Sequence, residues 1–494
     1  MELIPVGIFW SIAFWALFQQ KQVLMYLFFA SMPFGSFAAI PTELTAGLTL
    51  TPTPIVAILL ILRELAGVRG LTKMIDTALK PTGLLLLFLF WIVAGIATAF
   101  MPRFFSGQIE VVPVRAGASA ADTTLLAPTV QNLSQFVYIS ISVLTVFAFA
   151  KLLQAKSMRR HVSVALCLAA ALTVLTGVLD FVAPYLRLES ALEVFRTASY
   201  SLLTEDEILN SKRVVGLMPE ASAFGSLSLC FLASLYFFRR AMPGGHLRNK
   251  IAPVLMGFLL LLVWMSTSSA AYLGLGIFSA TVFAEWCWRF FTASRNPYLQ
   301  RGLSNEFWLG VLAVWGLLLI VIAIPQVLSP VLELFDVMVL QKSSSSSFEE
   351  RSMWTHVSWD ALLATHGLGV GLGGTRASNF AVALVSNAGA LGAVFYFSFV
   401  LQCLVSRKAS QKDAEGSALI AAVRWSYLPL FSVSLMVGTT PDFGVFNAFL
   451  YGFTVAISKS KLMVPVLPQK ARESTELSRS KLSRLRSVRS ANGN

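Results

Sequence analysis

The sequence predicts an all-α, polytopic membrane protein, and three observations predict it. Hydrophobic residues make up 56% of the 494 residues and charged residues only 13%, with a mean hydropathy of +0.71; a soluble domain carries about 25% charged residues. Apolar runs recur from one end of the chain to the other, and roughly 20 such residues cross a bilayer core as a helix. Lys and Arg gather in short loops between alternate runs, the asymmetry that insertion imposes on cytoplasmic loops.

Breaking the hydropathy pattern at charged, Pro or Gly clusters gives about thirteen spans: 3–18, 23–41, 48–62, 84–101, 129–150, 162–183, 222–238, 254–267, 270–288, 308–329, 379–404, 419–438 and 443–458. Pro41, Pro52 and Pro54 interrupt the first three, so twelve is the alternative count, and the count decides where the N-terminus lies. The first run lacks a basic leader and a small-residue cleavage site, so it reads as a retained span. The membrane domain is thus 1–458. A basic tail, 459–494, is Ser/Arg-rich and expected to be disordered.

Orientation follows from charge. Loops containing Arg63, Lys73 and Lys80; Lys151, Lys156, Arg159 and Arg160; Arg239, Arg240, Arg248 and Lys250; Arg289, Arg295 and Arg301; and Arg407, Lys408 and Lys412 fall on one side, with Lys481, Arg484, Arg486 and Arg489 of the tail. That side is expected to be the cytoplasm. The net charge of +13 is therefore topological, and nucleic acid is not an expected partner. Cys167, Cys230, Cys287 and Cys403 all sit in apolar runs, without metal-ligand or disulfide spacing, and read as small core residues.

Three long loops face outward, 102–128, 184–221 and 330–378, and hold most acidic residues outside the basic loops, among them Glu189, Glu205, Glu220, Glu333 and Glu349. Function gathers in such loops. The stretch 343–392 collects Arg351, His356, Asp360, His366 and Arg376, then a Gly-rich run, before re-entering an apolar helix. Arg351 and Arg376 suit a phosphate or pyrophosphate, because a guanidinium bonds phosphate oxygens bidentately and never loses its proton; the alternative is a rim ion pair to Glu349 or Glu350. The glycines around His366 would let backbone N–H groups reach an anion, while His366 itself is either a base or a structural hydrogen-bonding residue. The Ser343–Ser347 run reads as a flexible tether.

A second stretch of similar character runs from Lys212 to Gly225. Glu220 enters the bilayer there and needs a partner or a task; Arg213 is the candidate partner, and a helix cap is the alternative. The turn Ser266–Ser269 offers hydroxyls to a sugar or phosphate, or simply caps the next helix. No G-x-G-x-x-G context follows a strand, which discounts a dinucleotide site, and no zinc-hydrolase, nucleophile-elbow or metal-carboxylate pattern is present, so no cofactor or metal is expected.

In their order, these elements resemble the O-antigen ligase and polymerase superfamily, most of all the Wzy-type polymerases that assemble exopolysaccharide or O-antigen from lipid-linked repeats. The resemblance covers 213–392: Arg213, Gly216, Pro219, Glu220, Ala221 and Ser222; the turn Ser266–Ser269; Arg351 ahead of Trp354; Gly367, Gly369 and Gly371; and Asn379 leading to Gly389 and Gly392. It implies a GT-C-like, metal-independent glycosyltransferase in a bacterial inner membrane, with its active site facing the periplasm and its C-terminus in the cytoplasm. It further implies an undecaprenyl-pyrophosphate-linked oligosaccharide as donor, a second lipid-linked repeat as acceptor, membrane lipids as surroundings, and a chain-length regulator protein as partner. Arg213, Arg351 and, more weakly, Arg376 would hold the pyrophosphate; Ser268 and Asn379 would contact sugar. Ligases of the superfamily carry a His before that Asn, where this chain has Ser378, which weakens the ligase alternative and leaves the base open between Glu220 and His366. A transporter is the alternative from another class, disfavoured by the scarcity of mid-span charge.

Overall fold

The computed structural model describes residues 3–45, 49–67, 70–114, 123–198, 202–203, 207–208, 211–292, 296–323 and 346–460. Helices form where the apolar runs are. α1 (Leu3–Phe18), α2 (Lys21–Ala30), α3 (Pro52–Ala66), α4 (Gly70–Leu79), α5 (Leu85–Phe104), α6 (Val130–Leu152), α7 (Met158–Leu186) and the short α8 (Glu189–Glu193) precede the second outer stretch. After it come α9 (Ala221–Phe238), α10 (Ala252–Met265), α11 (Ser269–Thr292), α12 (Leu303–Ala323), α13 (Ser346–Ala364), α14 (Phe380–Leu401), α15 (Ala414–Val437) and α16 (Gly444–Lys459). Two small hairpins, β1 (Glu110–Val111) with β2 (Thr124–Leu125) and β3 (Glu207–Ile208) with β4 (Ser211–Lys212), lie in the connections.

Each expected span contains a helix, with two corrections to the layout. The span expected at 23–41 stops being helical at Ala30, because Pro33 and Gly35 interrupt it although the run stays apolar. The loop expected over 330–378 contains α13, a 19-residue helix whose polar composition hid it; Ser346 and Ser347, assigned to a tether, begin it, while 343–345 and the tail from 461 lie outside the described residues.

The helices pack as a bundle in which α6 carries α3 and α16, α9 carries α10 and α15, and α14 lies along α5. Packing between helices in lipid depends on close approach, not on a hydrophobic gradient, and Gly452 of α16 supplies one: a Cβ there would stand 2.6 Å from that of Phe149 on α6. Phe29 and Phe449 meet edge-on beside it at 4.8 Å. Cys167, Cys230 and Cys403 are buried and all four cysteines are free thiols. α12 buries none of its residues.

The five basic loops are tied into one end of the bundle. Glu64 takes Lys21 at 2.7 Å and Lys151 at 3.1 Å. Arg159 binds Asp413 and, at 3.1 Å, Glu415. Arg240 and Arg289 each reach Glu285 at 2.9 Å and also pair with Glu306. Asn296 donates to the Ala414 carbonyl at 2.9 Å, and Arg407 to that of Thr82 at 3.0 Å. Apart from Lys21, in the turn between α1 and α2, the basic partners lie in the loops assigned to one side by charge.

At the opposite end, α14 is broken. Gly389 has φ 76° and ψ 168° within it, so the carbonyls before the break and an N–H after it lose their helical partners. The Gly run supplies replacements: Val370 N–H donates to Ser386 O at 2.8 Å, Gly371 N–H to Asn387 O at 3.0 Å, and Ala390 N–H donates to Gly367 O at 2.8 Å. Irregular backbone at membrane depth persists only when so satisfied. Gly367, Gly369, Gly371 and Gly373 all hold φ between 74° and 82°, and a Cβ on Gly369 would come within 2.6 Å of the Gly389 nitrogen. Gly369→Ala is therefore expected to cost at least about 1–2 kcal/mol from the left-handed backbone alone, read as a lowered thermal midpoint of the purified protein; an unchanged midpoint would mean the strap is not rigid.

Candidate functional site

Beneath the same end lies a cavity of about 490 Å³ built by four elements distant in sequence. α13 contributes Arg351, Thr355 and His356, the start of α14 contributes Ser378 and Asn379, and Ser269 comes from the start of α11; Val433, Met436 and Val437 of α15 close the apolar side. α13 exposes one turn after another here, and Arg351, Thr355 and His356 fall on a shared face at helical spacing. Thr355 locks the geometry: its hydroxyl donates to Arg351 O at 3.0 Å and accepts from Ser378 N–H at 3.1 Å. Among the described residues, the Arg351 guanidinium makes neither a hydrogen bond nor an ion pair, so the expected alternative of a rim pair to Glu349 or Glu350 is not what it does. His356 is exposed on the same wall.

Asn379 reaches the cavity edge but is also the N-cap of α14, its carbonyl oxygen accepting from Ala381 N–H at 2.9 Å and Val382 N–H at 3.2 Å. Ser268 is buried and does not line the cavity, while its neighbour Ser269 does.

Arg376 stands behind the wall. Its guanidinium lies 3.8 Å over the Trp354 ring, and its backbone N–H donates to Val112 O at 3.0 Å. Burial lowers the pKa of that guanidinium from its ordinary value, with Glu350 opposing the shift. The contact is a cation–π pair that orients α13, and Arg376 does not line the cavity.

Arg213 is on the far side of the Ser266–Ser269 turn, where its Nε donates to Ser266 O at 3.4 Å and Val214 N–H bonds Met265 O at 3.2 Å. The expected Arg213–Glu220 pair does not form among the described residues: Glu220 is the N-cap residue of α9 and its carboxylate accepts from the Ser222 hydroxyl. His366, expected as a possible base, sits exposed with φ 51° at the end of α13, where Gly367 N–H returns to Leu362 O at 3.0 Å. It terminates the helix. The Gly run, expected to offer N–H groups to an anion, spends those of Gly369, Val370 and Gly371 on the protein.

Two carboxylates escaped the sequence reading. Asp180, fully buried near the end of α7, accepts from Val215 N–H at 2.7 Å and Gly216 N–H at 3.0 Å, and faces Arg196 at 3.1 Å and Lys212 at 3.7 Å. It anchors the stretch that carries Arg213. The signal was an Asp inside an apolar run, where an ionisable group is expensive. Asp442, in the turn 438–443 between α15 and α16, accepts from Gly444 N–H at 3.0 Å, and burial pushes its carboxyl from 3.8 up to about 6. A raised folded pKa means stability is greatest below the unfolded value and falls as pH rises through about 6. Asp442→Asn is expected to raise the thermal midpoint near pH 8 and to leave it unchanged below about pH 4; equal midpoints at both would refute the buried charge.

Among the described residues, nine helices are long and apolar enough to cross a membrane, and with no sheet beyond two hairpins the chain is an all-α, multi-pass membrane protein whose cavity opens at the end opposite its basic loops. Compared with known proteins, it matches no family model and no curated sequence.

Proposed function

We propose that the protein is a glycosyltransferase that polymerises lipid-linked oligosaccharide, moving a glycan from a polyprenyl pyrophosphate to the hydroxyl of a second lipid-linked repeat at the outer face of a bacterial inner membrane. One observation carries the reading: a guanidinium without a protein partner among the described residues, Arg351, shares a 490 Å³ cavity with the imidazole of His356, the hydroxyls of Ser269 and Thr355, and the apolar end of α15. Cation, imidazole and hydroxyls suit a sugar diphosphate, and the apolar wall suits its prenyl chain.

In the reaction the acceptor oxygen bonds to the anomeric carbon as the bond from that carbon to the pyrophosphate oxygen breaks. Pyrophosphate keeps the electron pair and needs no acid if its charge is met, and a preorganised guanidinium in a water-poor site meets it. Alignment of the hydroxyl behind the anomeric carbon supplies a further large share. The hydroxyl proton passes to His356, whose imidazole lines the cavity beside Arg351. His356 takes the role for which Glu220 and His366 were candidates; Arg213, across the turn, is left to the second substrate.

Purified protein incubated with polyprenyl-pyrophosphate-linked repeats should yield a ladder of multiples on a gel. Single repeats that persist unchanged would refute the reading, and transfer of a finished chain to another acceptor without a ladder would make it a ligase. A second reading, transport without chemistry, is favoured by the break in α14, since transporters build sites at broken helices. The Gly strap already satisfies that break, which favours the transferase; uptake of labelled lipid-linked repeat into vesicles without a ladder would reverse the choice.

A further inference from the structure

At the basic end a second polar cavity, of about 300 Å³, opens between the loop after α4 and the ends of α14 and α16, lined by Thr82, Gln402, Ser406, Arg407, Ser458 and Lys459. Two of these six are cations, and none is a carboxylate. This sets the cavity apart from the rest of that end, where Lys151, Arg159, Arg240 and Arg289 each face a carboxylate.

Arg407 is buried and donates to Thr82 O at 3.0 Å, the Gln402 side-chain oxygen at 2.9 Å, Ser458 Oγ at 3.4 Å and Gly83 O. Behind it Arg424 donates to Arg407 O at 2.6 Å and Val405 O at 3.1 Å. Neither guanidinium has a carboxylate partner among the described residues. Helix-end carbonyls offset part of this charge, but Arg407 is spent on them. Lys459 is not: among the described residues its ammonium makes no hydrogen bond or ion pair, and Arg407 and Lys80 both repel it. Asp76, the carboxylate whose charge acts on Lys459, is already held by Lys80 at 2.6 Å.

Half-buried cations without a counter-ion are costly, and the Thr82 and Ser406 hydroxyls beside them offer donors for an oxyanion, while that of Ser458 is spent on Val455 O at 2.8 Å. A space of 300 Å³ equals about ten waters of liquid, enough for a phosphate with a short ester. We propose that this cavity binds a phosphate-bearing anion, with Lys459 as its charge partner and Ser406 and Thr82 as hydroxyl donors; the phosphate belongs either to an anionic phospholipid headgroup or to a soluble phosphate ester. The site stands independently of the transferase reading.

The test uses the full chain in neutral detergent, titrated separately with phosphatidylglycerol and with inorganic phosphate while the thermal midpoint is followed, phosphatidylcholine serving as the uncharged comparison. Lys459→Gln is expected to weaken the apparent affinity roughly tenfold, as for a lost charge-assisted bond, and Lys459→Arg to retain most of it. Ser406→Leu, at an exposed position, fills the cavity without changing charge and should give the same loss even if the lysine variant folds poorly. Lys412→Gln, exposed on the same end outside the cavity, should change nothing. A response to phosphatidylglycerol alone identifies a headgroup, and one to inorganic phosphate identifies a soluble ester. No response to either, or equal losses in the Lys459 and Lys412 variants, overturns the site.

Discussion

Arg351→Ala is expected to abolish polymer formation while the protein still inserts and folds. The two halves of that outcome have separate causes. Arg351 is only half-buried and makes no hydrogen bond or ion pair among the described residues, so its loss strands no partner and leaves α13 held by Thr355 and Trp354. If its guanidinium meets the departing pyrophosphate, however, the change removes charge stabilisation that exists only as the bond breaks. Losses of that kind run to about 10²–10³ in rate. Arg351→Lys should recover little, because an ammonium is a point charge and cannot reproduce the two parallel bonds of the fork. Initial ladder-forming rates of purified variants, beside their size-exclusion profiles, decide the matter. A well-folded Arg351→Ala protein with near-normal rates would remove the cavity from the chemistry. Arg213→Ala should also impair polymerisation, but its Nε supports the Ser266 carbonyl, so part of its loss would be structural.

Asp180→Asn is expected to destabilise the protein by about 3–5 kcal/mol, the range for breaking one side of a buried ion pair. Asp180 is completely buried and the Arg196 side chain is only 6% exposed; with the carboxylate neutralised, the guanidinium loses its buried counter-charge and keeps only the exposed Glu193 at 2.7 Å. An amide can still accept from the Val215 and Gly216 N–H groups, so the backbone anchor should weaken without vanishing. Adding Arg196→Gln should restore part of the loss, since the guanidinium left with Glu193 alone is gone. Thermal unfolding of the single and double variants measures this coupling. A single variant within about 1 kcal/mol of the parent would show that the cluster is wet and weakly coupled.

The helices were legible because each announces itself within one window of sequence. From Leu85–Phe104 onward the spans were placed within a few residues of their helices, since the apolar content of a stretch needs no knowledge of its neighbours. α13 was not legible: SSFEERSMWTHVSWDALLA lacks an apolar stripe, and its faces are set by the Thr355–Ser378 bond and by Arg376 over Trp354. The same ambiguity affected the candidate site. Arg351 and Asn379, singled out by type and position, line the cavity, whereas His366, singled out over His356 because glycines surround it, does not. Those glycines belong to a strap over the broken α14, and the break has no local mark beyond Gly389 itself.

By itself the sequence determined that this chain is helical, multi-pass, and basic in loops that all gather at one end. These are properties of short segments, fixed by what each would lose by leaving or entering an apolar phase. Only the tertiary structure decided which polar groups meet: Arg351 with Ser269 and Asn379, Asp180 with Arg196, Lys459 with Arg407 and no carboxylate among the described residues. The reason is physical. A side chain's chemistry is local, but its partner is chosen by helix packing, which brings together residues that no window of sequence contains.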